Sequence, residues 1–281
     1  MECDDLGVGE LQKDRIVAAL GEVWASTADL VDGLSEEQWA MASPLPGWSV
    51  HDNVSHILGT ESMLLGEPNP EVTIDREALT HIQNDIAEFN EVWVEHLRSS
   101  SPAEMVGLFR ARTGARLDVL QAMSQDEWDA DSFTPSGPGT YGRFMQIRVF
   151  DCWLHEQDIR DTVGVPGHES GIAVDVTLDE LELAMGYVVG KKGKAPDGSS
   201  VRFDLTDGGS VVRSIGVIIE GRAQIATEPL QDPTSTLTMP VGVLTRRCAG
   251  RVDADEVRDR IEIGGDAALG EQIFAALPYT I

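Results

Sequence analysis

From residue 10 to residue 32, Leu11, Ile16, Ala19, Leu20, Val23, Trp24, Leu30 and Val31 recur largely at three- and four-residue steps, interrupted by the polar Thr27. That period predicts a long amphipathic helix, with Gly33 where a carboxyl-terminal stop is expected. Ser35-Glu-Glu-Gln38 has the form of a capping box opening a short helical turn. After the turn Leu45-Pro-Gly-Trp-Ser49, Ser49 is placed to N-cap a helix over 50–65, with Val50, Val54, Ile57, Leu58 and Leu65 as its apolar stripe. Gly66-Glu-Pro-Asn-Pro70 breaks the chain, and helical pattern returns over 74–99 and 103–123, the latter opened by a capping box from Ser101 to Glu104. Residues 128–141, with Pro135-Ser-Gly-Pro-Gly139, read as a loop. The stretch from Arg143 to Val163 holds no Gly or Pro and predicts a helix of roughly five to six turns.

Past Gly164-Val-Pro-Gly167 the pattern changes. One more helix over 179–189 and a mobile loop over 191–198 precede Val- and Ile-rich strands at 201–205, 211–220, 223–227 and 235–239. A helix over 241–249, a strand near 257–263 and a helix over 266–277 complete the pattern. The expected fold is α+β in two domains: a four-helix bundle over 1–165 and an α+β layer structure over 166–281.

The helix over 143–163 departs from simple amphipathicity. At about 100° per residue, Phe144, Ile147, Arg148, Asp151, Cys152, His155, Asp158, Ile159 and Thr162 lie within roughly 80° of His155. A surface helix segregates charge from its apolar stripe, so this mixed face predicts a lined cavity. Asp151 and His155, one turn apart, can converge on one metal ion. The plainer reading is an ordinary Arg148–Asp151 ion pair beside a partly buried histidine. His56 lies off its helix's stripe, nearer Asp52, Thr60 and Met63, and by periodicity alone is a surface or second-face residue.

Composition narrows the partners. The 281-residue chain has a formal net charge of −27, which argues against nucleic acid or an anionic membrane surface. Cys3, Cys152 and Cys248 are far apart and fit neither a disulfide framework nor a thiolate zinc site. The acidic start has no signal-peptide h-region and no apolar run reaches bilayer length, so the expectation is a cytoplasmic protein with reduced thiols.

Two stretches, Leu45-Pro-Gly-Trp-Ser-Val-His-Asp-Asn-Val-Ser-His56 and Arg148-Val-Phe-Asp-Cys-Trp-Leu-His-Glu-Gln-Asp-Ile-Arg160, together resemble the mycothiol-dependent maleylpyruvate isomerase family, a branch of the DinB-like metalloenzymes. The second half, with Ile263-Gly-Gly-Asp-Ala-Ala-Leu-Gly270, resembles the sterol-carrier-like domain that follows the bundle in that family. The resemblance implies His56, Asp151 and His155 as metal ligands. It departs at Asp151, where the founding pattern has the longer Glu; the shorter arm shifts the ion toward its helix, and Asp52 and Asp158 are fallback carboxylates. It also implies that the second domain supplies a substrate-anchoring arginine, for which Arg222, Arg247 and Arg251 are candidates, with Arg148 nearer to Asp151.

The implied function is a metal-dependent enzyme that directs mycothiol, or a similar low-molecular-weight thiol, onto a small electrophile. The outcome is S-transfer, or cis–trans isomerisation when the thiol adds, permits bond rotation and leaves. Three protein ligands leave an open coordination position, zinc being the first expectation and nickel, iron or manganese the alternatives. The rival reading is a non-catalytic small-molecule or lipid carrier with a structural metal.

Overall fold

The computed structural model describes residues 13–76, 79–82 and 84–280. Cys3 and the expected first three residues of the opening helix lie outside the described residues. The chain divides into two compact units, residues 1–177 and 178–281.

The first unit is a four-helix bundle. Its long helices are α1 (Lys13–Asp32), α3 (Val50–Leu64), α5 (Pro102–Ala122) and α7 (Tyr141–Val163); α1 and α3 each pack against both α5 and α7. The short α2 (Glu36–Trp39) precedes α3, α4 (Asp85–Leu97) packs on α3, and α6 (Gln125–Trp128) packs on α7. Ser35, Ser49 and Ser101 each close a capping box, so three predicted helix starts are set by side chains reading the local backbone. Gly164, at φ 69°, ends α7 in the left-handed conformation that a Cβ disfavours.

Two local expectations fail here. The described residues of 74–84 are not helical: α4 starts at Asp85, N-capped by Asn84, whose Oδ1 accepts from Ala87 N at 2.8 Å. Upstream, His81 Nε2 lies 3.1 Å from Glu91 Oε2, and a Cβ on Gly47 would stand 2.7 Å from His81 Nδ1. Docking against the Gly47 turn and Glu91 outweighs helix propensity over this segment. Residues 128–141 are not an open loop either. β1 (Asp131–Thr134) pairs antiparallel with β2 (Gly137–Thr140), the turn held by Thr134 Oγ1 donating to Gly137 O at 2.8 Å.

The second unit is built on a five-stranded sheet. β3 (Ser200–Asp207), β4 (Ser210–Glu220), β5 (Arg222–Ile225), β6 (Ser235–Pro240) and β7 (Glu262–Gly265) lie in the order β5-β4-β3-β6-β7, with β3 and β6 parallel and the other neighbours antiparallel. α9 (Val241–Cys248) follows β6 and packs on β3 and β6, and α10 (Ala267–Ala275) packs on β6 and β7. Phe203, Leu205, Ile215, Val217, Leu237, Leu244 and Ile273 are among its fully buried side chains.

The helix expected at 179–189 is α8 (Ile172–Gly186), which begins in the first unit and continues as a π-helical turn over Tyr187–Lys192. Part of the expected mobile loop is therefore helical. Gly190 permits the close approach, because a Cβ there would stand 2.5 Å from Ala223 Cβ. The strand expected near 257–263 is instead a 3₁₀ turn over Asp255–Arg260 followed by β7, with Val257 buried as an anchor.

Candidate metal centre

α3, the turn before it and the middle of α7 build the site. His56 and His155 are buried and Asp151 is half-buried; one donor atom from each lies within 4.8 Å of the others, the one group of this kind among the described residues. His56 Nε2 lies 3.2 Å from Asp151 Oδ2, and His155 Nε2 lies 3.5 Å from Asp151 Oδ1. His56 is thus a core residue and not a surface one, because α7 covers the helix face that the apolar stripe of α3 leaves unaccounted for.

Neighbouring polar groups settle the orientation of His155. Asn53 Nδ2 donates to Ser49 O at 2.8 Å, and a carbonyl can only accept, so the amide cannot be flipped. Its Oδ1 then faces His155 Nδ1 at 2.9 Å and accepts from an N–H there. The neutral ring therefore presents its Nε2 lone pair to the site. Trp48 forms one wall, its ring centroid 5.4 Å from that of His56 and 5.9 Å from that of His155. The indole is pinned because Trp48 Nε1 donates to the buried Glu91 at 3.0 Å, and Glu91 is also held by Arg98. Beside Trp48 runs a cleft of about 770 Å³, lined in part by Trp39, His51, Asp52 and Arg98.

On the other side stands a buried row of charges. Arg116 Nε donates to Glu61 Oε2 at 2.9 Å, and Arg148 Nη2 donates to Glu61 Oε1 at 2.8 Å. Arg148 Nη1 continues the row by donating to Asp151 Oδ2.

These surroundings act in opposite directions on the titrating groups. Burial lowers the pKa of His56 and Asp151 only partly offsets it. Burial also disfavours His155 as a cation, but Asp151 and Asp158 together outweigh it and its pKa is raised. Asp151 would be pushed up by burial; Arg148 and the two imidazoles instead hold it well below the usual carboxylate range. Burial pushes the Cys152 thiol up to about 12, which favours its neutral, packed form at neutral pH.

Two imidazole nitrogens and a carboxylate, buried and convergent, are a donor set that suits a divalent transition ion. His56 Nδ1 is buried with no partner among the described residues. The fallback carboxylates are occupied elsewhere: Asp52 closes the Ser49 capping box and pairs with Arg98, while Asp158 lies 3.4 Å from the Nδ1 side of His155. Of the expected arginines, Arg148 is in the site, and the others lie in the second unit. Arg222 is exposed at the start of β5; Arg247 is buried on α9, both terminal nitrogens donating to the Val252 and Phe274 carbonyls; Arg251 donates to Ala249 O.

Glu61, Arg116, Asn53 and Glu91 were not anticipated. Two of them left a trace in the sequence: Arg116 falls in the series Met105, Phe109, Thr113, Arg116 and Leu120 of α5, and Glu61 lies on the α3 stripe between Leu58 and Leu65, both at helical spacing.

No helix among the described residues is long and apolar enough to cross a membrane. Two Mycobacterium tuberculosis proteins, designated uncharacterized protein MT0041 and uncharacterized protein Rv0036c, are each 28% identical over 137 residues, 48% of this chain and 51% of theirs. The chain thus spans about half the length of the curated relatives it matches. Crystal structures of a mycothiol-dependent maleylpyruvate isomerase superimpose with TM-scores of 0.56 for a histidine-to-alanine mutant and 0.54 for the other, at 17% identity over 90% of this chain and 93% of theirs. At that identity the likeness is one of fold. The mycothiol maleylpyruvate isomerase N-terminal domain matches residues 20–160, half of the chain, and the protein belongs to that family.

Proposed function

We propose that this protein is a metal-dependent enzyme that uses mycothiol, or a similar low-molecular-weight thiol, as the nucleophile on a small electrophilic substrate. The observation that carries the reading is the convergence of His56, Asp151 and His155 within 4.8 Å in a buried setting. These residues would hold the ion, with zinc the first choice for two nitrogens and one oxygen and nickel, iron or manganese as alternatives. A divalent ion there supplies Lewis acidity, favouring the thiolate over the thiol at neutral pH. The chain's own residues do the rest: Asn53 holds His155 in one tautomer, Arg148 keeps Asp151 ionised, and Trp48 covers both imidazoles against water.

S-transfer and thiol-assisted isomerisation share the first step, attack of sulfur on the electrophile, and differ in whether the thiol departs. Arg148 spends its donors on Glu61, Asp151 and Cys152, so it serves better as a positioning group than as a substrate anchor. Of the remaining candidates, Arg222, exposed at the start of β5, and Arg251 are the proposed anchors for a substrate carboxylate, whereas Arg247 is buried with both terminal nitrogens committed to the Val252 and Phe274 carbonyls.

The test is incubation of the full chain with a divalent ion, mycothiol and a panel of electrophiles, followed by mass spectrometry of the products. Turnover should require the thiol, vanish on chelation and return with added ion. Cys152→Ala should retain most of it and His155→Ala should lose it together with the metal. Thiol-independent turnover, or loss of turnover in a Cys152→Ala protein that still binds metal and thiol, would overturn the reading.

A further inference from the structure

The row Arg116–Glu61–Arg148–Asp151 crosses the bundle from α5 through α3 to α7, and the first three side chains are 0%, 1% and 4% exposed. Arg116, Glu61 and Arg148 are too deep to be screened by solvent, and Coulomb interactions act strongly there. Stability is a poor explanation for such a row. Buried ion pairs seldom outperform apolar packing, and Arg116 Nη1 is buried with no partner among the described residues, an added cost. The remaining contacts of Arg116 are uncharged: its Nη2 lies 2.9 Å from Tyr141 Oη and 3.3 Å from Met145 Sδ.

The charges alternate and sum to zero. Arg148 therefore neutralises the carboxylate that the proposed centre offers its ion, while Glu61 and Arg116 limit how much net charge the row imposes. A divalent ion held by two neutral imidazoles and a neutralised carboxylate keeps nearly its full positive charge. Such a centre favours an anion, a thiolate included, in its open position.

We propose that Glu61 and Arg116 are positioning residues that set the charge of the metal centre from outside its ligand set. This rests on the metal-centre reading above. Removing the Glu61 charge makes the row net positive and should expel the cation. Removing the Arg116 charge makes it net negative and should hold the cation more tightly. A merely structural role gives loss of affinity at both positions, whereas the electrostatic role gives opposite signs.

The experiment is zinc affinity of the full-length protein by competition with a chromophoric chelator, with thermal melts as a folding control. Glu61→Gln should weaken zinc binding and Arg116→Gln should strengthen it, on the order of tenfold each way. Arg116→Lys, which keeps the charge, should bind zinc as the parent does. If Glu61→Gln does not fold, the contrast between Arg116→Gln and Arg116→Lys decides. Weaker binding in Arg116→Gln, or equal shifts in the two Arg116 variants, overturns the inference and leaves the metal centre standing. A parent protein that binds no zinc, with His155→Ala indistinguishable from it, overturns both.

Discussion

Asn53 Oδ1 accepts a hydrogen bond from His155 Nδ1 at 2.9 Å, joining the first turn of α3 to the middle of α7 across 102 positions of sequence. Because Asn53 Nδ2 is committed to Ser49 O, the contact has a fixed sense, and it leaves His155 Nε2 facing His56 and Asp151, the nitrogen that would meet the proposed metal.

The first prediction follows from that bond. Asn53→Leu keeps approximate volume and removes the acceptor, so His155 can occupy either tautomer or rotate. Metal affinity should fall by about 10- to 100-fold, the usual range for loss of a partner behind a ligand. Chelator competition measures this. An unchanged dissociation constant in a folded Asn53→Leu protein would show that the imidazole is aligned by packing alone.

A second prediction concerns packing of α4 on α3. Gly59 faces Trp93, and a Cβ added there would stand 2.4 Å from Trp93 Cβ and 2.5 Å from Cγ. Both atoms are at the root of a buried side chain, so the helix backbones would have to separate. Gly59→Ala should destabilise the protein by about 1–3 kcal/mol despite alanine's higher helix propensity. Denaturant unfolding monitored by circular dichroism reads the difference, and a stabilised variant would contradict the close approach.

The third prediction is a pH dependence. His168, with φ 54°, places Nδ1 2.6 Å from Glu156 Oε2 and Nε2 3.2 Å from Glu22 Oε1; Arg160 and Ser26 also face Glu156. Burial lowers the His168 pKa, but the hydrogen bonds and charges of Glu156 and Glu22 outweigh it, so the folded-state value is raised above that of the unfolded chain. The folded state then holds the proton more tightly. Its contribution to stability is complete below the unfolded pKa of about 6.5 and is lost as pH rises through the higher folded value. The stability difference between the parent and His168→Gln should therefore be largest below about pH 6.5 and shrink as pH rises above it into the alkaline range. A difference that is constant across that range would mean that the ring is held neutral.

Local chemistry was legible wherever one segment carries its own instructions. The capping boxes at Ser35, Ser49 and Ser101 involve atoms three residues apart, and the alternation of Val201, Phe203 and Leu205 marks a strand with a buried face. The mixed face of α7 was equally readable, since Asp151 and His155 are fixed relative to each other by helix geometry alone. Among the described residues of 74–84 the helix expectation failed because His81 docks on Gly47, outside the window of a periodicity argument. The hairpin over 131–140 was missed although its Thr134–Gly137 contact is local, because Pro- and Gly-rich four-residue strands carry no apolar period. Only the tertiary structure decided the rest. The partners of Glu61 on α7 and α5 are 87 and 55 residues away, and those of His56 and His155 are 95 and 102. A buried charge or imidazole takes its meaning from what faces it across the bundle, and single-helix spacing cannot specify that.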